Sequence, residues 1–358
     1  MLRNSYNRFF PTPQFLSPPS YGLDISDESL KYVELIGTRH GLQVKRYGER
    51  KIPPGIIESG KIKEQKKLEE ILADLREKEG IRSVRVSLPE EQIYLFKLRL
   101  PKEGLTSIED GIELSLEEHV PLSAEDTVFD YDVISEDAVS VEVEVAAAPR
   151  TIIESYLTLF EHSGVMVPSF ELEAQAVARV MVKKGDQETY MLVDFGEKRT
   201  GISIVSRGTV MFASTIDAGG VMLTNMLAKN FKLSFEEAER MKRKYGLQRN
   251  AENKEMFSVL LNGVSILRDE ISKHFLYWHT HEDEEGKMRP PIKKIILSGG
   301  NANLAGLTEY FSVSMKNQVE MANVWINIMD IEKQVPGIDF AESLSYATAL
   351  GLALGDFD

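Results

Sequence analysis

The sequence predicts an α/β fold built on an internal duplication, with a smaller α+β unit inserted into its first half. Three observations predict it. Two short apolar strands, Tyr21–Ile25 and Tyr190–Phe195, each carry an aspartate near the C-terminal end, Asp24 and Asp194, and each leads into two further strands. A helix follows each of these three-strand runs. Between the two copies, residues 90–167 have a different texture, with alternating strands around a separate helix. One apolar strand ending in Asp is common; two in matching positions are more specific.

In the first copy, Leu30–Ile36 is the second strand, Gly37 and Gly41 bracket a turn, and Leu42–Tyr47 is the third strand. Leu68, Ile71, Leu72 and Leu75 fall at helical spacing, and Gly80 stops that helix. Ser83–Leu88 alternates as a strand. In the inserted unit, Gln92–Leu100, Val128–Ile134 and Val139–Ala147 read as strands. Ile108–His119 and residues 151–163 read as helices, the latter closed by Gly164. In the second copy, Gly201–Ser206 and Thr209–Ile216 are strands and Gly219-Gly220 opens a helix. Ser234 and Glu237 form a capping box for the next helix, which Gly246 ends. A long amphipathic helix runs from about Asn253 to Trp278, and Lys293–Leu297 is a buried strand entering Ser298-Gly299-Gly300.

Composition removes several function classes. The 358 residues carry 42 Lys+Arg against 56 Asp+Glu, a net charge of −14, which disfavours nucleic-acid backbones as partners. There is no cysteine, so disulfides, thiolate metal sites and thiol nucleophiles are absent and a reducing compartment is expected. No apolar run reaches the ~20 residues of a membrane helix. Residues 1–20 hold four prolines and no periodicity, and read as a flexible leader.

Two motifs read as decoys. Gly55 to Gly60-Lys61 has the spacing of a phosphate-binding loop, but Ile62 stands where a Mg²⁺-binding hydroxyl is needed and Pro53-Pro54 precede it in place of a strand. His279, His281, Glu282 and Asp283 have metal-ligand chemistry, yet they sit in a charged run that reads as a solvated loop. The paired Asp turns carry more. A carboxylate just past a strand can face Mg²⁺ while turn amides face phosphate, and two such turns can clamp one nucleotide from opposite sides. Gly196 and Thr200 suit the second turn. Gly299-Gly300 allow a ligand to ride on the backbone at a helix start. Glu239 and Lys242, three apart on one helix, have the spacing of a surface ion pair and also of a ribose clamp.

The order Gly22-Leu-Asp24-Ile-Ser26, Val193-Asp194-Phe-Gly196, Gly219-Gly220, Glu237-Ala-Glu239-Arg-Met-Lys242 and Leu297-Ser-Gly299-Gly300-Asn-Ala302 resembles the actin/Hsp70/FtsA nucleotide-binding fold, a ribonuclease H-like duplicated ATPase architecture. Within it, the chain over about residues 21–358 is most similar to the PilM family of type IV pilus assembly; Glu117-Glu118-His119-Val120-Pro121-Leu122 in the inserted unit supports this. The resemblance implies ATP and Mg as cofactors. It implies Asp24 and Asp194 at the metal, and Asp24, Ser26, Lys31, Asp194, Gly196, Thr200, Gly219, Gly220, Glu239, Lys242, Gly299 and Gly300 around the nucleotide. Glu173 would position an attacking water. It further implies a cytoplasmic scaffold, peripheral to the inner membrane, that grips the N-terminal tail of a PilN-like membrane protein near Phe96, Leu98, Leu100 and residues 108–122. Other pilus assembly proteins and self-association are further implied contacts, without nucleic acid and without direct membrane insertion, since the chain shows no FtsA-type amphipathic membrane helix at its end.

The resemblance divides the chain into a leader (1–20), a first core unit (21–89, 168–185 and 340–358), the inserted unit (90–167), a second core unit (186–231 and 290–339) and a helical unit (232–289). Two departures bear on activity. Ser26-Asp27-Glu28 stands where the first turn normally has Gly, and like charges beside a triphosphate oppose binding. Glu197-Lys198-Arg199 is bulky where small residues are usual, which argues against tight closure of the second turn. At most a weak ATPase is expected. The alternatives are a nucleotide-free actin-like scaffold, an FtsA-like cell-division protein, and a sugar-kinase-type enzyme, for which no catalytic motif stands out.

Overall fold

The structure is a computed structural model and describes residues 21–39, 41–249, 253–282 and 286–357. The leader 1–20 and Asp283 of the histidine-containing run lie outside the described residues. Two five-stranded sheets form the framework. The first contains β1 (Tyr21–Ile25), β2 (Ser29–Thr38), β3 (Gly41–Lys51), β6 (Ser83–Leu88) and β10 (Met166–Leu172); β4 (Ile57–Glu58) and β5 (Lys61–Ile62) make a minute hairpin apart from it. The second contains β11 (Thr189–Phe195), β12 (Thr200–Ser206), β13 (Thr209–Ile216), β14 (Lys294–Ser298) and β15 (Val319–Met321).

Their topologies are the same. In each sheet the first strand sits centrally, pairs antiparallel with the second and parallel with the fourth, and the third and fifth strands form the edges. The duplication read from the two Asp-ended strands is therefore a duplication of strand order and direction. Both central strands are apolar on both faces, as a strand covered by helices on each side must be.

Helix α1 (Gln65–Glu79) and α3 (Arg150–Ser163) cover one face of the first sheet, and Leu68, Leu72, Tyr156 and Phe160 pack there with Leu23 and Val86. The range 90–167 assigned to the insertion is accordingly too wide at its C-terminal end: α3 buries its apolar stripe against the first sheet, and β10 is a strand of that sheet. What remains separate is a three-stranded sheet, β7 (Tyr94–Pro101), β8 (Thr127–Glu136) and β9 (Ser140–Pro149), in the order β7-β9-β8, with α2 (Ile108–His119) on one face. Ser107 caps α2 by accepting the Asp110 N–H at 3.0 Å. Leu100 is buried in the core of this unit, while Phe96 and Leu98 are half-buried and pack against it, Phe96 stacked on His119 at 4.5 Å between ring centroids.

The other face of the first sheet carries α4 (Glu173–Met181) and α10 (Ala347–Leu354). Two glycines allow this contact. A Cβ on Gly22 would lie 2.0 Å from the Ala349 carbonyl, and one on Gly351 would lie 1.9 Å from the Ala176 carbonyl. On the second sheet, α5 (Gly220–Phe231), α6 (Phe235–Tyr245) and α7 (Lys254–Thr280) form the helical unit; α8 (Leu307–Met315) and α9 (Phe340–Ser343) complete the order. The Ser234–Glu237 capping box is present at the start of α6. His279 is used structurally: Nδ1 faces the Phe275 carbonyl at 2.8 Å and Nε2 faces the Ile292 N–H at 3.2 Å.

Candidate functional site: a cleft between the duplicated sheets

The two sheets meet with the ends of β1 and β11 facing a cavity of about 650 Å³. Asp24 and Asp194 line it, and each is held in the same way. The register places Asp24 beside Ser87 on the parallel strand β6, and the Ser87 hydroxyl donates to Asp24 Oδ1 at 3.1 Å. Asp194 is paired in register with Ser298 on β14, whose hydroxyl donates to Asp194 Oδ1 at 2.9 Å. In both carboxylates one oxygen is thus fixed by a serine while the side chain borders the cavity.

The copies differ across the antiparallel neighbour. Lys31 lies opposite Asp24, whereas Gly201 lies opposite Asp194. The gap beside Gly201 is used by Glu90, whose Oε2 lies 3.8 Å from where a Gly201 Cβ would be. Glu90 follows Pro89 at the exit of β6, accepts the Ala174 N–H, and keeps its Oε1 buried without a hydrogen-bond partner. Sequence reasoning missed Glu90. The signal was the duplication itself, because Pro89-Glu90 leaves β6 as Gly299-Gly300 leaves β14.

These carboxylates share one electrostatic situation. Burial pushes Asp24 up, with Lys31 and the Ser87 hydroxyl pulling the other way. Burial raises Asp194, and Asp24 adds to it against the pull of Ser298. Burial and then Asp194 push Glu90 up to about 8. Glu173, at the start of α4, is raised well above the carboxylate range by burial and then by Asp24, Glu90 and Asp194. Four acids with a single lysine among them make a cleft floor that attracts a cation. Hard oxygen donors of this type suit Mg²⁺. Among the described residues, no three such side chains converge closely enough to ligate an ion by themselves.

The remaining predicted residues fall into two groups. Ser26, Lys31, Gly196, Glu239, Lys242, Gly299 and Gly300 line the cavity. Thr200, Gly219 and Gly220 do not offer the surfaces expected of them. Thr200 is fully buried and its hydroxyl donates to the Ala218 carbonyl at 2.6 Å, so it presents no hydroxyl to a ligand. A Cβ on Gly219 would lie 2.5 Å from the Glu197 carbonyl, and one on Gly220 would lie 2.2 Å from the Asn301 side chain. Gly219 lets the start of α5 approach the second turn, and Gly220 lets it approach Asn301 after β14, rather than a ligand. Gly299, with φ +85°, likewise clears the Phe195 backbone, whereas a Cβ on Gly300 would meet only the Ser345 Cβ, at 3.7 Å.

Glu239 and Lys242 are joined to each other at 2.8 Å. Lys242 is buried and also donates to the Gly220 carbonyl and to Asn301 Oδ1, both at 3.0 Å. Asn301 in turn donates to the Gly196 carbonyl at 2.8 Å. Burial lowers the Lys242 pKa against the pull of Glu239. Glu239, partly buried, is nonetheless driven down to about 2 by hydrogen bonds from Lys242, Thr224 and Arg243. The pair ties the helical unit to the second turn and still borders the cavity. Phe235, 39% exposed, lines the same wall and was not anticipated.

Both departures noted in the sequence resolve differently from expectation. The second turn closes tightly despite its bulk, with the Gly196 N–H donating to the Arg199 carbonyl at 2.9 Å. Asp27 is not a free acid beside a phosphate position. Its carboxylate accepts the Ser59 and Gly60 N–H groups at 3.0 and 3.1 Å and pairs with Arg199. The turn at Gly60 that resembled a phosphate loop is therefore a pair of amides holding a carboxylate.

Comparison with known proteins places this geometry. The family model described as type IV pilus assembly protein PilM matches residues 22–357. The cell division protein FtsA of Streptococcus pneumoniae is 28% identical over 196 residues, 49% of this chain and 43% of that protein. The FtsA of Staphylococcus epidermidis is 21% identical over 326 residues, 84% of this chain and 60% of that protein. The chain thus spans about half the length of these curated relatives. Among solved structures, the PilM-PilN type IV pilus biogenesis complex matches with a TM-score of 0.77 at 21% identity, covering 95% of this chain and 99% of that one. MreB5 of Spiroplasma citri bound to ADP matches with a TM-score of 0.55 at 15% identity over 87% of this chain and 93% of that one. The fold is actin-like, and the chain belongs to the PilM family of type IV pilus assembly proteins.

Proposed function

We propose that the chain is an actin-like scaffold of type IV pilus assembly that binds ATP with Mg²⁺ between its two duplicated sheets. The observation that carries the reading is the pair of serine-fixed aspartates, Asp24 and Asp194, bordering one cavity from equivalent strand ends. Mg²⁺ would take the free edges of these carboxylates together with phosphate oxygens and waters, and supply charge neutralisation for the phosphates. Gly300, where a Cβ would make only an ordinary contact, leaves backbone room for the phosphates, Gly196 lines the same cavity, and Glu239 and Lys242 border the ribose. Glu173 borders the same cavity, and burial together with the neighbouring acids raises its pKa well above the ordinary carboxylate value, so it is placed to orient an attacking water. The PilN-like partner is carried over from the solved complex named above: the N-terminal tail of such a membrane protein would dock between the inserted unit and the first core unit, bringing the scaffold to the inner membrane face.

The test is a titration with a fluorescent ATP analogue and Mg²⁺, using wild type, Asp194→Ala and Asp194→Asn. Asp194→Asn keeps an acceptor for Ser298 and so guards against a folding artefact. Wild type should bind, and both variants should lose at least tenfold in affinity. Equal binding by all three would overturn the reading. Absence of binding by all three would leave the nucleotide-free scaffold, which the ion pairs between the turns independently favour.

A further inference from the structure

The rim of the cleft is bridged by ion pairs that join the second turn to the first half. Arg199 pairs with Asp27 and with Glu91. Lys198 reaches Glu28 at 2.6 Å, and Lys51 reaches Glu197 at 3.7 Å. Every one of these pairs crosses between the two halves, and all of the residues line the cleft cavity. Asp27 is 7% exposed and anchored by the Ser59 and Gly60 amides, so Arg199 is bound to a fixed point of the first half. Amide pairs of this kind and flanking cations make up a phosphate site, and here a carboxylate fills it.

We propose that Asp27, Glu28 and Glu91 act as an internal stand-in for polyphosphate: they hold Lys198 and Arg199 across the cleft and close it without nucleotide, and bound phosphates displace them. The inference rests on the nucleotide reading for its second half only. The physical reason is charge balance. The rim holds the acids Asp27, Glu28, Glu91 and Glu197 against the cations Lys51, Lys198 and Arg199, so it has no spare positive charge for a triphosphate. Phosphates can be neutralised there only by taking Lys198 and Arg199 from the carboxylates. Nucleotide and clasp then compete for the same two side chains, and the cleft is shut by one or by the other.

The experiment uses the absence of cysteine in the chain. Glu58→Cys and Asn225→Cys place spin labels on exposed positions of the two halves, flanking the groove outside the clasp. Distances are measured by electron–electron double resonance, and ATP·Mg²⁺ affinity by titration, in the full chain. Two further pairs of changes are compared on this background. Glu28→Gln with Glu91→Gln removes carboxylates, and Lys198→Gln with Arg199→Gln removes cations. Both should broaden and lengthen the interlabel distance without nucleotide, as should about 0.5 M salt on the unchanged clasp, because salt screens part-exposed ion pairs. Their effects on affinity should be opposite: the carboxylate-side change should tighten ATP·Mg²⁺ about tenfold and the cation-side change should weaken it about tenfold. An unchanged distance in both variants overturns the clasp whatever the affinities do. A lengthened distance with affinities that move in the same direction, or do not move, overturns the competition. No detectable ATP binding in any form, with the distance lengthened, overturns the competition through failure of the nucleotide reading, and the clasp would then be a fixed structural bridge.

Discussion

At the scale of single residues, the molecule keeps several acids in places where the charged form is costly. Glu144 on β9 is 5% exposed, and its Oε1 has no hydrogen-bond partner among the described residues. Burial pushes its carboxyl up to about 7, with Gln175 and Lys97 pulling it down and Asp132 adding to the rise. A folded pKa raised above the ordinary carboxylate value means the folded chain binds the proton more tightly than the unfolded one. The associated stability is therefore complete below about pH 4.5 and is lost as pH rises through about 7. Glu144→Gln removes this loss. The variant should be more stable than wild type by roughly 2–3 kcal/mol at pH 8 and should converge on it near pH 4.5. Urea unfolding at the two pH values checks this, and equal differences at both would show that the gain does not come from titration. The serines under the two aspartates give a second residue-scale prediction. Ser87→Ala and Ser298→Ala each remove one donor from an equivalent carboxylate, and each should weaken ATP·Mg²⁺ binding roughly fivefold to tenfold, as the loss of about 1–1.4 kcal/mol, within the range of a typical hydrogen bond, implies. A large loss in one and none in the other would mean that the two halves do not contribute alike.

At the scale of elements, legibility followed local signals. Tyr21–Ile25, Ser83–Leu88, Thr209–Ile216 and Ile108–His119 have the same bounds in sequence and structure, because their apolar period and their flanking Gly or Ser residues act within a few residues of chain. Met166–Leu172 was not legible as a strand. Pro168 interrupts it and a register shift falls between Met166 and Ser169, which an edge strand tolerates. The two Asp turns were legible from their repetition, but the neighbours that complete the cleft were not. Arg199 and Asp27 are 172 residues apart, and Glu90 reads in sequence as an ordinary acidic turn after a proline. The glycines were legible as close approaches, although Gly219 and Gly220 approach protein. The contact between α4 and α10 shows how much one such approach controls. Gly351→Ala would put a methyl group within 1.9 Å of the Ala176 carbonyl, and the backbone cannot yield as a flexible side chain would. The substitution should destabilise the chain by about 3 kcal/mol or more, seen as a fall in the thermal midpoint. Gly55→Ala, with nothing within 4 Å but a φ of +86°, should cost less, about 1 kcal/mol, and an equal cost at both sites would refute the packing argument.

At the scale of the whole molecule, the cleft and the inserted unit are separate pieces of architecture. The cleft is built from the exits of β1, β6, β11 and β14, whereas the inserted sheet and α2 have their own core around Ile112, Leu116, Val143 and Val145. The inserted core does not share a side chain with the floor of acids at Asp24 and Asp194. Partner docking on the inserted unit should then survive loss of the nucleotide site. A synthetic peptide copying the N-terminal tail of a PilN-like partner should bind wild type and Asp194→Asn with affinities within about twofold, since sites without shared contacts are close to additive. Hydrogen exchange should slow in both proteins along Tyr94–Pro101 and Ile108–His119. Leu114, 86% exposed on α2, is a control position: it stands away from the unit's core, so Leu114→Ser should leave folding intact and will show whether the outer face of α2 takes part in docking. If the peptide bound only the nucleotide-competent protein, the two pieces would be coupled, and one direct contact between them is Gln175, two residues from Glu173, which reaches Glu144 of the inserted sheet at 3.5 Å. Gln175→Ala would then restore peptide binding in the Asp194→Asn background if that contact transmits the coupling, and would leave it lost if the coupling runs through the ion pairs at the rim.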